Sequence, residues 1–589
     1  RRRFERFGAK SCLPAQTLAT ALRSLDRTEE ALQVLEEAIG LRPDDAELQL
    51  FAARMFAEAS SDHWERGRQL LEQSREKTPR AEWLRVAAHI EWNRGHLANA
   101  LSLLRQVLQL QPLDALTHQS VAELLEATEG VSAALDHLRS AVDRFPYHRH
   151  LLTCWVAWLR AEPAEIAEPA IRRLIEMAPT RAWAVLELGK LLLREGRLEE
   201  AGQCADRVVQ LDPGWSNGHL LRGQIHESCN RLAEARAAYR EAIRLSVDNQ
   251  QAIHGLLQCC DTVARRAEAL QFIRRELVRQ VVSGEALFAF REAACSVLEP
   301  EEVLGVLKEA LEARPDLWES WSACIRQLAG MGELEEALAL AQEATRRFPL
   351  LARLWMDLAD VLRLCNDSDG ELSAVQSAYR IAPSWLQTSV RMSEVHRRRG
   401  ERDEAVKWLK TALRREPRNV VPHVELAEIL WEGGHWDEAL EKIERAIELE
   451  PEYGWAWDCL CRWAAQTKQT DRPKRLARRL VEERPGQASL WLTLARVVGT
   501  DDLDESLAAL DKATSIKPQF VEAYDERARL LAEAGRFKEA MATCQPRSVW
   551  PDQIPAELIG RHAWIQWRLG DRDSAVARLR HALDVDPNF

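Results

Sequence analysis

Short apolar segments at helical spacing alternate with polar turns along the whole chain. A proline follows most pairs of these segments, and Pro43 and Pro587 are 544 residues apart, which is 16 steps of 34. Because proline cannot continue a helix, each step predicts two helices followed by a stop. The prolines of this series are Pro43, Pro79, Pro112, Pro146, Pro179, Pro213, Pro315, Pro349, Pro383, Pro417, Pro451, Pro485, Pro518, Pro551 and Pro587.

Small residues repeat with the same period. Alanine stands twelve residues before many of the proline positions, as at Ala201 and Ala405, where a larger side chain would push two crossing helices apart. Glycine stands seventeen residues before the proline position, between the two apolar segments. Each unit is therefore predicted to be a helix, a short turn and a second helix. The glycines in this position are Gly95, Gly196, Gly332, Gly400, Gly434 and Gly570.

One such helical hairpin cannot bury its own apolar face, so the units must stack on one another. The chain shows no convincing strand pattern. The sequence therefore predicts an all-α solenoid of about sixteen helix-turn-helix repeats, in which residues 34 apart become neighbours on a convex or a concave face.

The repeat resembles the tetratricopeptide repeat over essentially the whole chain. "WLKTALRREP" and "YREAIRL" are similar to the family's second helix, and "LGKLLLREGRLEEA" is similar to its first helix and turn. The tryptophan that the family carries near the start of its first helix is matched six residues after the proline. This resemblance implies a right-handed superhelix that binds proteins. The matching tryptophans are Trp321, Trp355, Trp457 and Trp491.

The period weakens in the middle of the chain. Positions 247 and 281 hold no proline, and "LVRQVVSGEALFAFREAACSVLEPEE" lacks the clean turn pattern. We predict an N-terminal array over 1–246, degenerate repeats that form a candidate joint over 247–314, and a C-terminal array over 315–589. Plain repeat degeneration is the alternative to a joint. The final "DVDPNF" is interpreted as the start of a further repeat.

The resemblance implies that first helices line the concave groove with the residues four, seven, eleven and fourteen after each proline. Charged residues dominate the position eleven after the proline, and Arg363 and Arg397 add charges at position fourteen. This pattern favours either a bipolar track for a charged peptide or an inner wall of internally paired charges. Isolated exposed pairs contribute little, so the second interpretation stays open. The predicted partner-binding residues are Trp183, Lys190, Asp360, Arg363, Glu394, Arg397, Glu428, Trp455, Asp458, Arg462 and Arg496.

The segment "ELEPEYGWAWDCLCRWA" divides between core and groove. Trp457 holds the family's buried position, and Trp455 points about 200° away from it on an ideal helix. Asp458 and Arg462 share the side of Trp455, so these three residues form a predicted groove patch. Neighbouring Cys459 and Cys461 diverge by the same angle, so they are not expected to bind a metal together.

Composition narrows the function class. The net charge of −12 argues against a nucleic-acid partner. No apolar run is long enough to cross a bilayer, so no membrane insertion is expected. The 12 cysteines fit neither a disulfide scaffold nor a zinc pattern, which favours reduced thiols and a cytoplasmic location. Only 12 of the 80 basic residues are lysine, as in many bacterial proteins with GC-rich genes.

The chain carries none of the common catalytic motifs, so no cofactor and no metal are expected. Histidines in predicted turns or helix starts, such as His423, are interpreted as surface residues. "FGAKSCLPAQTLA" faintly resembles the nucleophile segment of bacteriocin-processing cysteine peptidases. The alternative is that Cys12 simply starts a first helix, with Pro14 in the first turn, where proline is tolerated.

These observations predict a non-catalytic scaffold that binds a protein or peptide partner in its groove, within a larger assembly. One alternative is the substrate-positioning arm of a multidomain enzyme such as a cysteine peptidase. Another is a self-stacking structural protein, because both ends of the sequence resemble interrupted repeats.

Overall fold

The computed structural model of the chain describes residues 1–280, 285–551 and 553–586. Within these ranges the regular structure is helical and no residue lies in a strand. Short 3-10 turns occur at Ser61–His63 and Leu159–Ala161. The α-helices are α1 Arg2–Phe7, α2 Leu13–Ser24, α3 Thr28–Leu41, α4 Ala46–Ala59, α5 Trp64–Ser74, α6 Arg80–Asn93, α7 Leu97–Leu110, α8 Ala115–Glu129, α9 Val131–Arg144, α10 Arg149–Trp158, α11 Ala164–Met177, α12 Ala182–Arg194, α13 Leu198–Leu211, α14 Ser216–Ser228, α15 Leu232–Leu245, α16 Gln250–Gln258, α17 Val263–Arg279, α18 Glu285–Cys295, α19 Pro300–Ala313, α20 Trp318–Met331, α21 Leu334–Arg347, α22 Ala352–Leu364, α23 Ser368–Ile381, α24 Leu386–Arg398, α25 Arg402–Arg415, α26 Val420–Glu432, α27 Trp436–Leu449, α28 Gly454–Gln466, α29 Asp471–Glu483, α30 Ala488–Val498, α31 Leu503–Ile516, α32 Val521–Glu533, α33 Phe537–Thr543, α34 Ala556–Arg568 and α35 Arg572–Val585.

After α1, most consecutive helices pair as hairpins, for example α2 with α3, α12 with α13 and α34 with α35. First helices also pack against neighbouring repeats, as α12 does against α11 and α14. The predicted all-α solenoid of helix-turn-helix repeats is confirmed. The repeat positions 281 and 587 lie outside the described residues, and the division at 247–314 stays a prediction.

The chain forms two compact units. Unit 1 consists of Arg1–Ala59 and Arg139–Arg415, and unit 2 consists of Ser60–Leu138 and Glu416–Phe589. Stacking of neighbouring repeats does not account for this, because each unit joins segments far apart in sequence. In unit 1, the Ser384 backbone N–H donates to the Asp26 carbonyl at 3.2 Å. In unit 2, the Gln487 side-chain amide donates to the Glu126 carbonyl at 3.3 Å.

The turn inside many repeats contains a residue in the left-handed conformation. The six predicted turn glycines all have positive φ, for example Gly332 at 85°. Where glycine is absent from this position, Asp26, Asn230, Asn366 and Lys468 adopt the same conformation, with φ between 55° and 59°. Asp and Asn tolerate this region because their short side chains bond locally. These ten repeats therefore share a left-handed turn residue rather than glycine itself. Other turns lack it, as at Glu162, where φ is −80°.

The carbonyl of the repeat-closing proline accepts a side-chain hydrogen bond in many repeats. Trp457 Nε1 donates to the Pro451 carbonyl at 2.9 Å, and Trp321 Nε1 donates to that of Pro315 at 3.1 Å. The predicted core position of Trp457 is confirmed, since it is 6% exposed. Similar bonds come from the residue six after the proline elsewhere, at Gln49, His118, Trp355, His423 and Trp491.

The surface interpretation of His423 is wrong. This residue is buried within α26, and its Nε2 lies 3.0 Å from the Pro417 carbonyl. Burial lowers the pKa of His423, so the neutral ring that donates this bond is favoured. His423 therefore takes the place that tryptophan holds in other repeats.

We expect Trp457→Phe to lower the free energy of unfolding by about 1 to 2 kcal/mol. The variant keeps a six-membered aromatic ring in the core, while the buried Pro451 carbonyl loses its hydrogen-bond donor. Denaturant unfolding followed by circular dichroism measures the change. Trp491→Phe is the matched control in unit 2, since its bond to the Pro485 carbonyl, at 2.8 Å, is exposed to solvent. An equal loss in both variants would contradict a special role for the buried bond.

Candidate functional site

We call the side chains four, seven, eleven and fourteen residues after the repeat-closing position the first-helix face. They share one side of each first helix because the helical period is 3.6 residues. Most of the residues predicted to bind a partner belong to this face. The structure shows which of their charges are already paired within the chain.

In unit 1, one arginine joins two predicted acidic residues. Arg391 on α24 donates from Nη1 to Glu394 Oε2 at 2.8 Å, and its Nη2 bonds Asp360 on α22. Arg363 lies exposed and Arg397 is half-buried near the ends of the same two helices. These contacts favour internal pairing over a free acidic row.

The other predicted residues of unit 1 lie on α12. Trp183 is half-buried, with the Arg181 guanidinium 5.4 Å from its ring centre. Lys190 is exposed, and its Nζ lies 3.3 Å from Glu187 Oε1. Glu187 is 6% exposed and also bonds Arg160 Nε at 3.0 Å, so this carboxylate serves two cations.

In unit 2, α28 presents the predicted patch. Trp455 is 38% exposed and stacks on Tyr453 with 5.9 Å between the ring centres. Asp458 and Arg462 are exposed on the same helix, and Arg462 Nη2 lies 3.2 Å from Cys459 Sγ.

The two remaining predicted residues of unit 2 lie on neighbouring repeats. Glu428 on α26 is half-buried. Arg496 on α30 is exposed, with its Nε 3.7 Å from Glu526 Oε2 on α32. Arg496 therefore already pairs with a carboxylate within the chain.

The sequence analysis overlooked the residue eight after the repeat-closing position. Asp357, Glu187 and Glu526 occupy it and are buried, and Arg391 occupies it between two acidic neighbours. The residue eleven after the proline in one repeat faces the residue eight after it in the next. We call these charge pairs between repeats rungs; they are Arg326–Asp357, Asp360–Arg391 and Arg496–Glu526, and aligning position eight with position eleven of the preceding repeat would have revealed them. Glu187 differs, since its partner Arg160 stands fourteen residues after Pro146.

The rung between Arg326 and Asp357 is the most buried of these pairs. Arg326 Nε donates to Asp357 Oδ1 at 2.9 Å, and the Asp357 side chain is 1% exposed while that of Arg326 is 51% exposed. Burial raises the pKa of Asp357, and the nearby Arg326 charge acts in the opposite direction. The Arg326 charge therefore favours the ionised form of Asp357, whereas burial disfavours it.

A polar cleft of about 600 Å³ opens among α14, α16 and α18 in unit 1. The residues at position eleven of three successive repeats, Gln224, Gln258 and Glu292, line it together with Gln251 and His254. Among the described residues, the side chains of these five make one hydrogen bond within the chain, between His254 Nδ1 and Ser296 Oγ at 3.5 Å. The cleft was not predicted, because it falls where the proline period lapses.

Tyr239 forms the floor of this cleft. Its ring lies between Gly223 and Gly255, where a Cβ atom would come within 2.5 Å of the ring. The hydroxyl donates to the Glu227 carboxylate, which also lines the cleft. Burial, followed by this carboxylate, raises the pKa of Tyr239, so the phenol keeps its proton. The two glycines thus allow a residue of the second helix to reach the first-helix face.

Cys12 starts α2 and Pro14 lies in its first turn, as the structural interpretation of this segment predicts. Burial raises the pKa of Cys12, and the charges of Asp45 and Glu47 raise it further. A raised pKa disfavours the thiolate that a cysteine nucleophile requires. Across the described ranges, no group of three or more His, Cys, Asp or Glu side chains could hold a metal ion. Those ranges also include no helix that is long and apolar enough to span a membrane.

The paired helices, the recurring side-chain hydrogen bonds to the repeat-closing prolines and the charged rungs between first helices define this chain as a helical-repeat protein. Two tetratricopeptide repeat profiles match it, one over residues 159–214, 326–384 and 390–454 and the other over 16–45, 217–249 and 556–589. The chain belongs to the tetratricopeptide repeat superfamily, whose arrays serve as protein-interaction scaffolds.

Similar curated proteins share only segments with this chain. Tetratricopeptide repeat protein 7A of Homo sapiens is 24% identical over 144 residues, which cover 24% of this chain and 17% of that protein. Cellulose synthase operon protein C of Xanthomonas axonopodis pv. citri (strain 306) is 31% identical over 115 residues, which cover 18% of this chain and 7% of that protein. The chain therefore matches less than a fifth of either relative.

Solved structures with a similar arrangement include Naa15/Naa10 bound to HypK-THB, with a TM-score of 0.34 and 12% identity, covering 97% of this chain and 99% of that chain. Yeast Tom70 matches with a TM-score of 0.30 and 13% identity, covering 80% of this chain and 98% of that chain.

We expect Arg326→Gln to lower the free energy of unfolding by roughly 2 kcal/mol at pH 7, because it leaves the Asp357 carboxylate buried and unpaired. The variant raises the folded-state pKa of Asp357 further above its unfolded value. Its deficit relative to the wild type should therefore shrink as the pH falls from 7 toward 4.

Denaturant titrations at several pH values measure this effect. The double variant Arg326→Gln, Asp357→Asn should recover much of the stability and should lose the pH dependence of the deficit. A deficit that stays constant with pH would contradict the dependence of Asp357 on Arg326.

Proposed function

We propose that the chain is a non-catalytic scaffold that binds a protein or peptide partner on its first-helix face, within a larger assembly. The observation that carries this proposal is the cleft of Gln224, Gln258 and Glu292. It combines a concave surface with hydrogen-bonding side chains that have no partner among the described residues of the chain.

Glutamine side chains suit this role because each amide offers a donor pair and an acceptor. An extended peptide presents the complementary carbonyl and N–H groups at regular intervals. Gln224 and Gln258 stand 34 residues apart, so successive repeats offer equivalent amides to one ligand. His254 and the Tyr239–Glu227 pair add fixed polar groups beside them. This combination supports recognition of a backbone more than of one charged side chain.

The patch of Trp455, Asp458 and Arg462 is a second candidate contact in unit 2. Its exposed tryptophan resembles the aromatic anchors that dominate protein interfaces. Asp360 and Glu394 are weaker candidates, since Arg391 already binds both carboxylates. Lys190, Glu428 and Arg496 remain predicted contacts. Each already interacts with another group of the chain, so a partner would have to compete with that group.

The role of a substrate-positioning arm in a larger enzyme remains the alternative. Within this chain the one segment that resembles a nucleophile offers little support, because the pKa of Cys12 is raised rather than lowered. A scaffold whose chemistry is limited to binding therefore accounts better for the described residues.

Replacing both cleft glutamines, Gln224→Ala with Gln258→Ala, should reduce recovery of the natural partner at least tenfold, since two hydrogen-bonding groups contribute about 1 kcal/mol each. Affinity capture from the source cells with quantitative mass spectrometry measures the recovery. Gln271→Ala is the matched control, because Gln271 is exposed on the second helix α17.

Trp455→Ala and charge reversal at Glu394 and Glu428 test the other parts of the first-helix face in the same assay. Loss confined to Trp455→Ala would move the contact to the unit 2 patch. Recovery that is unchanged in every one of these variants would contradict binding through the first-helix face.

A further inference from the structure

Unit 2 contains a cavity of about 500 Å³ far in sequence from the polar cleft. One wall comes from residues 95–99 and Thr128, and the opposite wall comes from residues of α27, α29 and the loops beside them. The two walls approach closely at Gly95, because a Cβ atom added to this glycine would lie 4.0 Å from Arg445 Nη2. The cavity thus lies between the two chain segments that make up unit 2.

Four arginines converge on this cavity: Arg418, Arg445, Arg479 and Arg484. Two carboxylates, Glu448 and Glu483, line it with them. His96 also lines it, but its Nδ1 lies 2.8 Å from Glu91 Oε2. Four guanidinium groups against two carboxylates leave an excess of positive charge in the cavity.

The two carboxylates of the cavity, Glu448 and Glu483, pair with two of the four arginines, Arg445 and Arg479. Arg445 Nη1 donates to Glu448 Oε2 at 2.8 Å, and Arg479 bonds the other oxygen of Glu448. Arg479 Nε also lies 3.9 Å from Glu483 Oε1. Glu448 is therefore shared, and one carboxylate cannot neutralise two guanidinium groups.

The other two arginines bond neutral carbonyls. Arg418 Nη1 donates to the Trp92 carbonyl at 2.6 Å, and Arg484 Nη2 donates to the Glu448 backbone carbonyl at 2.9 Å. Burial lowers the pKa of both residues, and the charges of Arg445 and Arg484 lower that of Arg418 further. Partly buried cations that repel one another are costly unless an anion offsets them.

We propose that this cavity binds a small phosphate-bearing anion with two or more negative charges. Guanidinium groups match phosphate oxygens with paired N–H donors, and several of them around one cavity favour a multiply charged ligand over a single carboxylate. The ligand contacts both segments of unit 2, so its binding stabilises their association. This site is independent of the first-helix face and of the partner bound there.

Tripolyphosphate is the probe for this site, with sulfate at equal ionic strength as a comparison anion that has only one tetrahedral group. Isothermal titration calorimetry on the whole chain measures affinity, and thermal unfolding measures stabilisation. We expect tripolyphosphate to bind more tightly than sulfate and to raise the unfolding midpoint. The double variant Arg445→Gln, Arg479→Gln should bind it at least tenfold more weakly.

The matched control is the double variant Lys442→Gln, Arg475→Gln, which removes the same charge from α27 and α29 at residues that do not line the cavity. It should keep the affinity of the wild type. Circular dichroism shows whether each variant is folded, and Arg445→Gln alone provides a milder change if the double variant unfolds.

Three results would each overturn the proposal. The wild type could show no binding of tripolyphosphate, or it could bind sulfate equally well. The control variant could also lose as much affinity as the cavity variant, which would show a diffuse effect of surface charge.

Discussion

At seven repeat junctions among the described residues, the carbonyl of the closing proline accepts a hydrogen bond from the side chain six positions later. Trp457, Trp321 and His423 donate it from buried positions. A buried carbonyl without a donor is costly, so this bond links the end of one repeat to the first helix of the next. Tryptophan, histidine and glutamine can each make this bond, because the proline carbonyl requires only a side-chain N–H group at this position. First helices then stack in register and align the side chains of the first-helix face.

That register explains the charges on the first-helix face. Position eleven of one repeat meets position eight of the next, so opposite charges become rungs between repeats, as in Arg326 with Asp357 and Arg391 with Asp360. Charges used in rungs stabilise the stack and are less available to a partner. The polar cleft differs because two of its three position-eleven residues are glutamines, Gln224 and Gln258, whose amides remain available among the described residues.

Contacts between distant segments add a second level of organisation within each unit. Arg418 reaches the Trp92 carbonyl, and Gln487 reaches that of Glu126, across more than 300 residues of sequence. Such contacts bring arginines of separate repeats around the cavity of unit 2. A linear array in which repeats contact only their neighbours would not assemble this charge cluster, so the proposed anion site is a product of the folded unit.

The sequence by itself determined the repeat, its helical hairpins and many of the turn positions, because these follow from local periodicity and from proline and glycine geometry. The buried role of Trp457 followed from the resemblance of its repeat to the tetratricopeptide repeat. The sequence also placed Trp455 on the exposed side of α28. It did not reveal that His423 is buried, that Tyr239 reaches the cleft between two glycines, or that Arg391 binds two predicted acidic residues. These outcomes depend on the offset between adjacent helices and on contacts between distant segments. Only the tertiary structure decides them, because side-chain pairing across helices depends on distances that a one-dimensional period does not contain.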